Sequence, residues 1–428
     1  MQDKKPTETK KKVRLTQEEL DDIIKKHENY ANGRMGGVRA NFAHHDLSGL
    51  SFAKKNMADA DFTGAYMVET DFAETKLDRA ILFCVDARQA NFRGASLARA
   101  DLRGAALRGA NLVGANMTGV DLREGSLANA GGDGELKAAH KNLTVVDKGG
   151  ANLSGANLSN AKMAGAVAID SNFSDATMKS TKLQKSSLKG ANFSGANLEN
   201  ADLSKCDLED ASFKNAILVG TSINISEVSK ENLAGALTEK AAGHELKDLP
   251  TPLDQLLVLH ETWVNSNGQK GKLLNLSGYD LRQATGLEKA CLTMMRGIGT
   301  ILYGVNLSGA QLQTADLHDA DLRHCNLQKA DMRGVNLANA KLSNAQLQDV
   351  NLQPLELEKG RKLPTNLSGA TLRYINFAGA NLRSVNFRNA DLTSSDFSTA
   401  IITDADFKNA NLDDVKCTPE QKKQLKIT

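Results

Sequence analysis

The sequence predicts an all-β solenoid, and three features of a five-residue period predict it. A large apolar residue recurs at every fifth position, from Phe42, Leu47, Phe52, Met57 and Phe62 onward to Leu127, with Ala87 the single lapse. A small residue stands two places before it at Ala60, Ala65, Ala80, Ala90, Ala95, Ala100 and beyond. Glycine follows two places after it at Gly49, Gly64, Gly94, Gly104, Gly109, Gly114 and Gly119. A period of five fits neither the face of a strand (two) nor that of a helix (3.6), so the chain must turn about every five residues.

Each unit is three residues of strand and a corner. Residues two apart on a strand point the same way, so the Ala and the Leu or Phe face inward and the Asn or Asp between them faces outward. The second corner of a type II turn needs a positive φ, which glycine supplies without strain.

The units ANFRG (90–94), ADLRG (100–104), ANLVG (110–114), ANLSG (151–155) and ADLTS (390–394) resemble the A(D/N)Lxx unit of the pentapeptide-repeat family. The resemblance covers some three quarters of the chain. It implies a right-handed quadrilateral β-helix, four units per coil. The phenylalanines support four units per coil independently. Phe173, Phe193 and Phe213 are spaced by twenty, as are Phe52, Phe72 and Phe92, so each set should stack on one wall. Phe42 and Phe62 belong on the wall opposite the second set, and Phe377 and Phe397 face Phe387 and Phe407 in the same manner.

Four runs of repeats divide the chain. Residues 1–15 read as a flexible basic tail and 16–39 as a helical N-cap. The first β-helix module takes 40–223 with a loop at 131–150, and 224–271 is a linker with a second helical cap. The second module takes 272–415 with a loop at 354–366, where the in-phase Lys362 would otherwise bury a charge. Residues 416–428, with a Thr-Pro-Glu helix signal after Cys417, form a polar C-terminal cap. Run three begins irregularly at Leu276 and Leu281 and slips by one residue, and Gly297 stands where an inward Leu is expected, suggesting a bulge or shallow cavity.

The second cap repeats the first. His260, Glu261 and Trp263, followed by Gly268 and Gly271, echo His27, Glu28 and Tyr30, followed by Gly33 and Gly36. These residues are the candidate site. The expected role is packing and capping at an open solenoid end, which needs protection against edge-to-edge pairing. No second His follows at metalloprotease spacing. Cys206 and Cys325 occupy small inward slots and read as core residues.

Composition narrows the function classes. The 53 basic and 51 acidic residues leave a net charge of +2, and aromatic residues are 4% of the chain. That balance argues against direct nucleic-acid binding and against imitation of a phosphate backbone. The five cysteines show no metal-ligand spacing, and no stretch has the length of a membrane span. No catalytic, cofactor-binding or metal-ligating residue is expected. The expectation is a soluble, cytoplasmic bacterial protein that is not an enzyme and acts as an interaction scaffold. An unidentified protein partner would bind a rod face or the interrupting loops. Two alternatives come from the resemblance: a DNA-mimic regulator of DNA gyrase, disfavoured by the near-neutral charge, and a secreted bacterial effector.

Overall fold

The computed structural model describes residues 13–123 and 150–425. The expected loop 131–150 therefore lies outside the described residues apart from Gly150, and the tail apart from Val13–Leu15. The chain divides into two compact units, Met1–Glu239 and Lys240–Thr428.

In the first unit most outward residues pair in parallel with the residue twenty positions on. Asn41 pairs with Asp61, Asp46 with Tyr66, Ser51 with Asp71 and Asn56 with Lys76. With a corner every five residues, four units complete a coil. The inward residue donates to the next coil and the outward residue to the previous one. Phe52 N–H reaches the Asp71 carbonyl at 2.7 Å, and Asp71 N–H the Leu50 carbonyl at 2.9 Å. Each corner closes on a bond such as Ala65 N–H to the Phe62 carbonyl, 2.9 Å, with Gly64 at φ +62°.

The core is the stack of inward residues, buried throughout. The phenylalanine columns form as expected. Phe52, Phe72 and Phe92 stack at centroid spacings of 4.7 and 5.0 Å, and Phe173, Phe193 and Phe213 at 4.9 and 5.0 Å. Phe42 stacks on Phe62 at 5.1 Å and meets Phe52 edge-on at 5.6 Å across the core. Stacking along a wall and edge contact across the coil each add about 0.5–1.5 kcal/mol beyond buried area.

Runs one and two form a single stack, since Asn111 pairs with Asn152, Asn116 with Asn157 and Asp121 with Lys162. The coil also runs past the expected end at 223. Two short 3-10 turns, Ile225–Glu227 and Glu231–Leu233, replace the usual corners there. Beyond them Ile217 still pairs with Leu237, whose side chain is buried. Inward apolar residues spaced as the core requires keep the coil going although the five-residue signature has lapsed.

The second unit has its own core, from Leu256 to Leu425. Its first coil is one residue longer than the others, with Asn275 paired to Arg296 and Asp280 to Ile301 before the twenty-residue spacing returns at Cys291 and Gln311. Gly297 makes no bulge: its N–H bonds to the Asp316 carbonyl at 2.8 Å. A Cβ there would meet Leu317 at 2.7 Å and Met295 at 3.1 Å, so the neighbours close in, leaving a narrow apolar cavity lined by Leu276, Leu292, Leu302 and other leucines. Phe377 and Phe397 stack at 4.9 Å and Phe387 and Phe407 at 5.0 Å, meeting edge-on.

The loop expected at 354–366 contains a small hairpin. Strand β3 (Leu355–Glu356) runs antiparallel to β4 (Lys362–Leu363), and Lys362 is exposed. The coil continues beneath it, pairing Asn336 with Asn366 and Lys341 with Thr371.

Candidate functional site: the duplicated helical cap

Helix α1 (Gln17–Ala31) opens on a capping box between Thr16 and Glu19 and buries Leu20, Ile24 and His27. Helix α2 (Leu253–Asn265) buries Leu256 and His260. The first coil of a solenoid leaves strand groups that no earlier coil can satisfy, and such orphaned groups are costly when buried.

The first cap satisfies these groups on all four walls. Val13 and Leu15 pair with Asp46, with Asp46 N–H on the Val13 carbonyl at 2.9 Å. Val13–Leu15 is therefore ordered strand rather than flexible tail, because the Asp46 edge needs a partner. The amide of Gln17 both donates to the Ser51 carbonyl and accepts from Ser51 N–H, each at 2.9 Å. Glu28 accepts from Asn56 N–H at 3.4 Å. Between the remaining walls stands His27, fully buried. Its Nδ1 accepts Ala40 N–H at 3.0 Å, which places the ring proton on Nε2 and lets it donate to the Ala58 carbonyl at 3.0 Å.

The second cap repeats the plan. Strand β1 (His244–Glu245) pairs in parallel with β2 (Tyr279–Asp280), as Val13–Leu15 does with Asp46. His260 is fully buried, and its Nδ1 accepts Leu274 N–H at 3.1 Å. Its Nε2 makes no hydrogen bond of good geometry; the Thr293 backbone, counterpart of Ala58, is the group nearest to serving as its partner and favours the protonated ring. Both imidazoles are held below the usual histidine range. Burial is the main cause for each, opposed at His27 by the Ala58 carbonyl, Asp59 and Glu28 and reinforced by Arg39.

The remaining echo residues divide by role. Tyr30 lies 5.7 Å from the His27 ring, and Trp263 stacks at 6.0 Å on His260, shielding each latch from one side. Glu261 is exposed and does not share the bond that Glu28 makes. Gly33 and Gly268 take positive φ just past each helix, bonding back to the Tyr30 and Trp263 carbonyls. Gly36 is not the packing counterpart of Gly271; Gly37 is. A Cβ on Gly37 would lie 2.3 Å from Tyr30 N, and one on Gly271 2.1 Å from the Leu259 carbonyl and 2.7 Å from Trp263 N. The second helix runs one residue further past its histidine, His260 to Asn265 against His27 to Ala31, and this shifts the echo.

Sequence reasoning missed Gln17, whose side-chain amide mimics a strand, and the strands before each helix, which bond through backbone groups every residue carries. It also missed a ladder inside the core. At several positions where a hydroxyl or thiol replaces the small inward Ala, it donates to a carbonyl in the preceding coil. Thr70 reaches Leu47 at 2.9 Å, Thr181 reaches Leu158 at 2.7 Å and Ser395 reaches Leu372 at 2.6 Å. Cys206 and Cys325 do the same toward Leu183 and Leu302. Burial pushes the Cys206 thiol up to about 11 and raises that of Cys325 as well, so both stay protonated at neutral pH, as inert core groups.

Chemistry is sparse elsewhere. Among the described residues no group of His, Cys, Asp and Glu could hold a metal, and no helix is long and apolar enough to cross a membrane. Several outward carboxylates, buried at Asp86 and Asp321 and partly exposed at Asp101 and Asp121, fold onto arginines two residues on, namely Arg88, Arg323, Arg103 and Arg123. The bond from Arg103 is the main reason the Asp101 carboxyl sits below its usual range.

These features define a β-solenoid whose conspicuous polar machinery closes its own ends. The model for pentapeptide repeats matches residues 56–94, 88–124, 151–190, 191–224, 315–353, 365–398 and 381–418, more than half of the chain. The protein belongs to the pentapeptide-repeat family, whose members form right-handed β-helices. Among solved structures, QnrB1, a plasmid-mediated fluoroquinolone resistance protein, is 18% identical, with 47% of this chain and 87% of that one covered and a TM-score of 0.25. HetL of the cyanobacterium Nostoc sp. strain PCC 7120, involved in heterocyst differentiation regulation, is 18% identical over 91% of this chain and 93% of its own, TM-score 0.17. Rfr23 of the cyanobacterium Cyanothece 51142 is 22% identical over 29% and 88%, TM-score 0.19. Scores this low add nothing to the family match. No curated protein matches the chain in sequence.

Proposed function

We propose that the protein is a non-enzymatic interaction scaffold: two capped quadrilateral modules whose coils hold a protein-binding hairpin in place. The modules correspond to 16–239 and 240–428, each opening on the cap built around His27 or His260. The reading makes the candidate residues His27, Glu28, Tyr30, Gly33, His260, Trp263 and Gly268 structural, closing coil ends so that binding surfaces elsewhere stay fixed.

One observation carries the choice of hairpin. Residues 354–363 interrupt a stack that pairs correctly beneath them, so the fold has no need of them. Yet the insertion is ordered, and it presents Leu357 and Leu363, 40% and 37% exposed, among Glu356, Glu358, Lys359, Arg361 and Lys362. Apolar side chains on an ordered projection from a rigid scaffold are a common way to build a binding site. The DNA-mimic alternative gains no support from Asp86, Asp101 and Asp121, each of which is paired with an arginine two residues on.

The test is an excision that respects the coil. Deleting 354–363 and changing Pro364→Gly removes ten residues, turning the thirty-residue step from Asn336 to Asn366 into the usual twenty. Glycine then supplies the positive φ that proline cannot adopt. Thr365 must stay, since it is buried and donates to the Met332 carbonyl at 3.2 Å. The expected result is an unchanged β-helix by circular dichroism, with loss of the protein that co-purifies with the intact chain from its native cell. Recovery of the same protein by the excised chain would remove the hairpin from the proposal.

A further inference from the structure

We propose that the two caps are acid-releasable latches, each held shut by a histidine that must stay neutral. The geometry carries the inference. His27 Nδ1 and His260 Nδ1 each accept a backbone N–H of the first coil, Ala40 at 3.0 Å and Leu274 at 3.1 Å. A proton on Nδ1 turns that acceptor into a donor aimed at another donor. It also places a full charge on a ring with no exposed surface.

The groups around the two rings differ. His27 is faced by Asp59 and Glu28, which favour its cation, by Arg39, which opposes it, and by the Ala58 carbonyl. Around His260 the only influence besides burial is the Thr293 backbone, with the uncharged Trp263 ring stacked alongside. In both caps burial outweighs these influences and keeps the ring neutral. The sign follows from linkage. A released imidazole titrates near the ordinary value of about 6.5 and the latched one lower, so the latch is at full strength above that value and weakens as pH falls below it. Release frees the strand groups of Ala40, Ser51, Asn56 and Ala58 at one end, and of Leu274 at the other.

Hydrogen exchange on the intact chain, corrected for intrinsic rates, tests this at pH 7.5 and then in steps to pH 5. Peptides spanning α1 with Ala40, and α2 with Leu274, should lose protection by about tenfold per pH unit below the released value. Both caps should respond, while coils between residues 60 and 110 stay protected. The paired substitution His27→Asn and His260→Asn keeps a side-chain acceptor without a titrating group, so cap protection should become independent of pH even if it is lower throughout. Caps that stay protected in the native chain at pH 5, or that lose protection equally in native and substituted chains, would overturn the proposal.

Discussion

Lys54 occupies a coil corner with φ +62°, in the left-handed region that side chains with a Cβ disfavour by roughly 1–2 kcal/mol. Its N–H is fixed to the Ala73 carbonyl at 2.9 Å, so the coil imposes the conformation. The same holds at Asp59, Glu69, Asn160, Lys185, Asn200 and many other corners, where the glycine reading of the turn extends to ordinary residues. Glycine marks the corners it occupies in the sequence; elsewhere the strain is tolerated because neighbouring coils hold both ends of the turn. Lys54→Gly should therefore be neutral or stabilising by up to about 1 kcal/mol, the relief being offset in part by glycine's greater entropy in the unfolded chain. Lys54→Val, β-branched at positive φ, should destabilise by at least about 1 kcal/mol. Urea titration of the two variants decides it, and equal stabilities would show that the corner is not strained.

Among the elements, helix α3 (Pro419–Leu425) closes the last coil of the second unit by the same logic as the N-terminal caps. The buried Gln421 donates through Nε2 to the carbonyls of Phe397 at 2.7 Å and Ala400 at 2.9 Å, and Leu425 packs on the core. Gln421→Leu keeps the bulk and withdraws both bonds, so it should cost about 1–3 kcal/mol. Faster hydrogen exchange confined to residues 392–416 is the expected reading, and unchanged exchange there would show the helix held by Leu425 alone. What the sequence disclosed about such elements follows from how they bond. The five-residue beat and the Phe52–Phe72–Phe92 spacing express side-chain burial, so the coil and its columns were legible. The His27 and His260 echo was visible as a pattern, but its meaning lies in the Ala40 and Leu274 amides, which carry no side-chain signature. Val13–Leu15 and the extension to Leu237 rest on backbone pairing and were hidden for the same reason.

At the scale of the whole molecule, the two units have separate cores, one from Leu20 to Val228 and the other from Leu256 to Leu425. Each begins with a strand and a histidine-bearing helix seated on its own first coil. In a solenoid, stability is a sum of coil terms and contacts between neighbouring coils, so a stack with its own cap carries what it needs to fold. The second unit has a closing helix as well, whereas the first ends on short 3-10 turns around Val228 and Leu237. Expressed separately, residues 13–239 and 240–428 should each be soluble and unfold cooperatively. The intact chain should then show the sum of the two transitions in calorimetry. A His260→Asn substitution should move only the transition of the second unit, and His27→Asn only that of the first. A single transition for the intact chain, with neither half soluble alone, would mean that the duplicated caps do not make independent folding units.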